Sequence, residues 1–161
     1  MRTVWTNEDN RVVDFDTLLE VCASPAWARL VLDGAPFHDA GALLDRAERA
    51  LAELPDAEID AALDAHPRIG TRPDNPSSER EQAGVAGADD AVRAELAAKN
   101  RAYEDRFGYV YLVCASGRTA GELLAILGER LANDPQTERR VMRGELAKIN
   151  RLRLQRLLSE P

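Results

Sequence analysis

Imidazole is the side chain best suited to moving protons near neutral pH, and the chain carries two histidines, His38 and His66. His66 precedes Pro67, and a residue before proline is pushed out of the α region. The spacing therefore predicts that His66 closes a short helix and faces a proline-stiffened loop. That placement suits a general acid/base, although a histidine cation also caps the last carbonyls of a helix favourably. His38, between Phe37 and Asp39, reads as surface polar. Ser78-Glu79-Arg80-Glu81 satisfies the Ser-x-x-Glu capping pattern, which alone would serve two orphan backbone donors. If that turn folds against His66, the Glu81 carboxylate, the Gln82 amide and the amides of a helix start would converge on a ligand, and Glu81 would either orient His66 or hold polar groups of that ligand. Arg153 interrupts the apolar stripe Met142, Leu146, Ile149, Leu157. Either its stem packs while its head reaches water or a carboxylate, or its planar fork anchors a carboxylate or a urea-like oxygen.

Other chemistries lack their residues. No G-x-G-x-x-G, Walker loop, G-x-S-x-G elbow or H-x-x-x-H pair occurs, so the expected site uses neither cofactor nor metal. Cys22 and Cys114 are the two cysteines, without the C-x-x-C spacing of a zinc or redox site. Cys114 sits in an apolar segment and reads as packing rather than nucleophile. The basic residues of the last helix, Arg139 to Arg156, read as a solvated face.

Alanine and leucine dominate, aromatics make up 5%, and most segments repeat with helical period, so an all-α single-domain bundle is expected, spanning residues 1–161. Leu43, Leu44, Ala47, Ala50, Leu51 and Leu54 form one buried stripe, broken by Pro55. A short helix capped by Asp56 follows, ending near His66. The stretch from His66 to Ala88 is rich in proline and glycine and is the longest irregular segment, a feature usually tied to function or disorder. Closure of its 71–77 part over substrate is an expectation. A helix over about 89–106 places Val92, Leu96, Tyr103 and Phe107 inward, and the uncharged run Tyr109–Ala115 favours a short extended segment. Thr119 and Glu122 form a capping box before the next helix. Asp134-Pro135 then starts the last one, to about Leu158. Gly121 and Gly128 weaken their helix unless close packing needs them.

With 45% apolar and 30% charged residues, disorder is excluded. The net charge of −7 disfavours a nucleic-acid or anionic-membrane surface. No run is long enough for a signal peptide or a membrane span. A cytoplasmic protein acting on a small molecule fits best.

Several short motifs, in order, carry a more specific message: Ala65-His66-Pro67-Arg68-Ile69-Gly70, Ser78-x-x-Glu81-Gln82-Ala83-Gly84, and Asn100-x-x-Tyr103-x-x-Arg106-Phe107-Gly108. They are joined by Ser24-Pro25-x-Trp27, Val113-Cys114-Ala115, Arg130-Leu131-x-Asn133-Asp134, Glu138 and Ile149-x-x-Leu152-Arg153-Leu154. Nearly the whole chain thus resembles the OHCU decarboxylase family, where OHCU is 2-oxo-4-hydroxy-4-carboxy-5-ureidoimidazoline. The resemblance implies an all-helical, cofactor-free, often dimeric enzyme of purine catabolism that converts OHCU to (S)-allantoin and carbon dioxide. It also implies roles. His66 matches the catalytic histidine, and Glu81 matches a position that contacts ligand. Pro67, Ser78 and Gln82 match substrate contacts, Tyr111, Leu112, Val113, Cys114 and Ala115 match a stretch offering backbone groups, and Arg153 matches a substrate arginine. The transthyretin-like domain joined to some members is not expected here. Competing expectations are a related enzyme with altered pocket walls, or a helical interaction module without catalysis; a nucleic-acid module ranks last.

Overall fold

The computed structural model describes residues 5–6, 12–66, 81, 83 and 89–159. A two-stranded antiparallel ribbon pairs β1 (Trp5–Thr6) with β2 (Val12–Val13), Trp5 opposite Val13. Two residues per strand are too few to show an alternating pattern, which is why helical periodicity did not disclose it. The remaining elements among the described residues are helices, in agreement with the all-α expectation.

Each helix begins where the local chemistry provides a partner for its unpaired N–H groups. In α1 (Phe15–Val21), Asp14 and Thr17 cap each other, with Thr17 N donating to Asp14 Oδ1 at 2.9 Å. In α2 (Pro25–Leu32), Ser24 accepts from Trp27 N and Pro25 takes the first position, where its missing N–H costs nothing. Asp39 caps α3 (Ala40–Glu53). The stripe Leu43, Leu44, Ala47, Ala50, Leu51 and Leu54 is buried as expected. Helix α4 (Asp56–Leu63) corrects one detail: Asp56 is its first residue, and the ladder starts from the Pro55 carbonyl, which accepts from Ile59 N. Asp89 caps α5 (Asp90–Phe107). Gly108 stops it at φ +82°, a left-handed conformation glycine adopts without a Cβ clash. The Thr119/Glu122 box opens α6 (Ala120–Leu131) as predicted. Asp134 caps α7 (Pro135–Ser159) by accepting from Thr137 N at 2.8 Å, and that bond, joined by the Thr137 hydroxyl, holds its carboxyl below the usual range.

The chain divides into two compact units, Met1–Ala62 with Ala147–Pro161, and Leu63–Leu146. In the first, Trp27 is wholly buried and its indole N–H donates to the Ala47 carbonyl at 3.1 Å, fastening α2 to α3. Arg46 Nε donates to the Leu30 carbonyl across the same pair. In the second, α5 and α6 enclose Leu96, Tyr103, Leu123 and Leu127 together with Tyr111, Val113 and Ala115 from the intervening chain. Burying such leucines stabilises by about 1.5–3 kcal/mol each, so the α5–α6 layer fixes the connecting segment more firmly than a surface loop would be.

Candidate active site

His66 follows the end of α4 by three residues, and its N–H donates to the Leu63 carbonyl at 2.9 Å. The turn ends the helix near the predicted place and leaves the side chain half-buried. Glu81 is half-buried and, like Ala83, has helical backbone. Pro67, Ser78, Gln82 and the 71–77 segment lie outside the described residues.

The run from Tyr109 to Ala115 leaves α5 at Gly108 and joins neither helix nor sheet among the described residues. Tyr111, Leu112, Val113 and Ala115 are buried and Cys114 is half-buried. Buried backbone of this kind needs partners outside regular structure, and arginines supply several. Leu112 O accepts from Arg130 Nη1, Cys114 O from Arg118 Nε at 3.3 Å, and Ala115 O from Arg118 N at 3.1 Å. The Tyr111 hydroxyl donates to the Leu123 carbonyl on α6 at 3.0 Å.

Beneath this segment lies a polar cluster to which sequence reasoning gave no role. Glu138 is fully buried and Arg130 is 4% exposed. Arg130 Nε donates to Glu138 Oε1 and Oε2 at 3.1 and 2.9 Å, and Nη2 to Oε2 at 2.6 Å. The same carboxylate accepts from the Tyr103 hydroxyl at 2.6 Å and from Asn133 Nδ2 at 3.2 Å. The guanidinium carbon lies 5.7 Å from the Tyr103 ring centre and 5.0 Å from that of Tyr111, within reach of cation–π attraction. Burial, reinforced by the Glu138 hydrogen bond, keeps the Tyr103 phenol protonated well above the usual range. A signal for the cluster existed: Arg130 continues the α6 stripe Leu123, Leu127, and Glu138 precedes Met142 and Leu146 at four-residue spacing. Charged residues of opposite sign on two inward stripes must meet a partner when buried.

Arg153 lies on α7 in the other unit, half-buried, with Nη1 donating to the Val21 carbonyl at 2.9 Å. Val21 ends α1, so the arginine serves a carbonyl that the helix leaves without an internal partner. The inward stripe departs from expectation here: after Ile149 it continues through Leu154 and Leu158, while Leu157 is half-buried. Arg153 thus flanks the apolar line rather than replacing a core residue. Nearby Cys22 is buried, which pushes its thiol up to about 11 against the opposing effects of the Asn150 amide and the Arg153 charge. Among the described residues, no group of three or more His, Cys, Asp and Glu side chains could hold a metal ion.

The class defined is an all-helical protein in which a buried, arginine-braced backbone segment joins two packed helices. The chain belongs to the OHCU decarboxylase family, whose model matches residues 8–155. It is 31% identical over 157 residues to the 2-oxo-4-hydroxy-4-carboxy-5-ureidoimidazoline decarboxylase of Amia calva, covering 93% of this chain and 89% of that protein. It is also 31% identical over 149 residues to the uric acid degradation bifunctional protein TTL of Arabidopsis thaliana, covering 86% of this chain and 45% of that longer protein. A crystal structure of OHCU decarboxylase in the presence of (S)-allantoin superposes with a TM-score of 0.81 at 29% identity, over 90% of this chain and 99% of that one.

Proposed function

We propose that this chain decarboxylates OHCU to (S)-allantoin and carbon dioxide in urate degradation, with residues 1–161 forming one domain of that function. The observation that carries this reading is the 0.81 superposition on an OHCU decarboxylase crystallised with (S)-allantoin, together with the family match over residues 8–155.

The reaction suits side chains acting alone. When the bond from the ring carbon to the carboxylate breaks, carbon dioxide leaves, the electron pair passes into the unsaturated ring, and the ring nitrogen that receives the charge takes a proton from water. The hydroxyl on the same carbon then gives up its proton to become the carbonyl of allantoin, and a proton returns to the ureido-bearing carbon. His66 takes the hydroxyl proton and returns a proton to one face, and Glu81 orients and polarises the imidazole. Delivery from one side yields one enantiomer. Pro67, Ser78 and Gln82 contact the substrate, the Tyr111–Ala115 segment offers it backbone groups, and Arg153 anchors a carbonyl through planar hydrogen bonds. Arg153 uses one of its five donors on Val21, and that bond limits the positions its guanidinium can take.

No described helix is long and apolar enough to cross a membrane. A cytoplasmic homodimer, with no nucleic-acid partner and no cofactor, completes the reading, and the acidic net charge of −7 favours a small substrate over a polyanion.

The test is circular dichroism on OHCU made in place from urate with urate oxidase and HIU hydrolase, with and without this protein. An (S)-allantoin signal that rises faster with protein is the expected result. Decay at the uncatalysed rate to racemic allantoin, with the protein folded, would refute the reading.

A further inference from the structure

We propose that Arg130, gripped by the buried carboxylate of Glu138, is a positioning residue for the reaction: it fixes the peptide joining Leu112 to Val113, and so the direction in which the Val113 N–H meets substrate. The inference deepens the proposed function and rests on its reading of Tyr111–Ala115 as a backbone contact.

A segment outside helix and sheet has no ladder of hydrogen bonds to set its peptide planes. Each plane can turn unless something holds it. Here Leu112 O is held on Arg130 Nη1. A trans peptide is planar with its C=O and N–H antiparallel, and the cis bond found among the described residues lies elsewhere, at Ala35–Pro36. The Val113 N–H therefore points away from the guanidinium. One turn of chain later the same device recurs, since Arg118 Nε holds Cys114 O at 3.3 Å, which sets the Ala115 N–H in the same manner.

Arg130 can act as a fixed point because it is itself over-determined. Its Nε–Nη2 edge lies on the Glu138 carboxylate at 2.6 to 3.1 Å. That carboxylate is steadied in turn by Tyr103 of α5 and by Asn133 before α7. The planar fork divides the work: one edge binds the carboxylate, and the remaining nitrogen reaches the Leu112 carbonyl. A lysine ammonium has no second edge.

Stability alone gives weak grounds for such a pair. Burying two charges carries a large desolvation cost, and well-packed apolar residues of the same volume usually hold two helices together as well or better. An apolar pair, however, has no donor for Leu112 O. The feature that distinguishes the ion pair from its apolar replacement is its grip on the backbone of the substrate segment.

Two measurements test the inference. In the first, Arg130→Lys keeps the charge and its pairing with Glu138 but loses the carbonyl bond. The expected result is a folded helical protein whose KM for OHCU, and whose Kd for (S)-allantoin, rise about ten- to a hundredfold with kcat much less changed, the pattern of a lost binding contact. In the second, ¹H–¹⁵N spectra of the unaltered protein are followed during titration with (S)-allantoin. The Val113 amide should move in step with binding, so this arm decides the matter even if the variant fails to fold. A folded Arg130→Lys with unaltered KM, or saturating (S)-allantoin that leaves the Val113 amide in place, overturns the inference while the decarboxylase reading stands. A wild-type chain that neither shortens the lifetime of OHCU nor binds (S)-allantoin overturns that reading, and the inference with it.

Discussion

Asparagine in place of His66 keeps a hydrogen-bonding side chain of similar reach but cannot carry a proton between two sites. His66→Asn should lower kcat by about a hundredfold or more, the usual contribution of a positioned acid/base, with KM little changed and a native far-ultraviolet spectrum. Full activity in that variant would remove His66 from the chemistry. Arg153→Met makes a contrasting prediction because its aliphatic stem is nearly preserved. Loss of the guanidinium should raise KM more than it lowers kcat. It should also cost about 1 kcal/mol of stability, since the Val21 carbonyl loses its bond. A variant that is less stable yet has unchanged KM would leave Arg153 a structural role only. The two substitutions separate proton transfer from anchoring by different kinetic parameters.

At the scale of elements, the helices α5 and α6 brace the irregular Tyr109–Ala115 run between them. Two glycines of α6 meet no crowding: a Cβ at Gly128 would lie 3.7 Å from Lys99 Nζ and one at Gly121 3.9 Å from Thr119 Oγ1. Neither therefore serves close packing. The clearest case is Gly144 on α7, exposed and with nothing within 4 Å of an added Cβ. Gly144→Ala should stabilise the protein by about 0.8–1 kcal/mol through helix propensity, raising Tm by about 2–4 °C for a chain of this size. A calorimetric scan showing no rise would mean that α7 contributes little to the cooperative unfolding unit.

For the molecule as a whole, stability should fall on the alkaline side. The chain has three tyrosines, Tyr103, Tyr109 and Tyr111, and burial first of all raises the pKa of each; Cys22 is likewise pushed up to about 11. In the unfolded chain these groups ionise at about pH 8.5 for cysteine and about 10 for tyrosine. Between those values and the higher native ones, the unfolded state releases protons that the native state keeps. The stabilising effect is complete below the unfolded values and is lost as pH rises through the native ones. Urea unfolding at about pH 8 and about pH 10.5 should therefore give a clearly lower free energy at the higher pH. Tyrosinate absorbance should appear together with unfolding. Early ionisation of the tyrosines in the native protein would contradict the burial described for them.

What the sequence determined by itself is what depends on near neighbours. The Thr119/Glu122 box and the Asp134 cap act over three residues, so spacing alone disclosed them, whereas Asp56, which spacing also offered as a cap, is instead the first residue of its helix. The buried stripe of α3 and the helix end before His66 follow from 3.6-residue periodicity and from proline sterics. Order and spacing of the short motifs also carried the family. The tertiary structure alone decided which polar groups meet. Tyr103 and Glu138 are 35 residues apart, and Arg130 and Leu112 are 18 apart. Inward spacing could mark Arg130 and Glu138 as buried charges in need of partners. Only the packing of α5 against α6 and the turn into α7 selects which carboxylate, hydroxyl and carbonyl those partners are, because desolvation makes each pairing favourable only where the surrounding helices close around it.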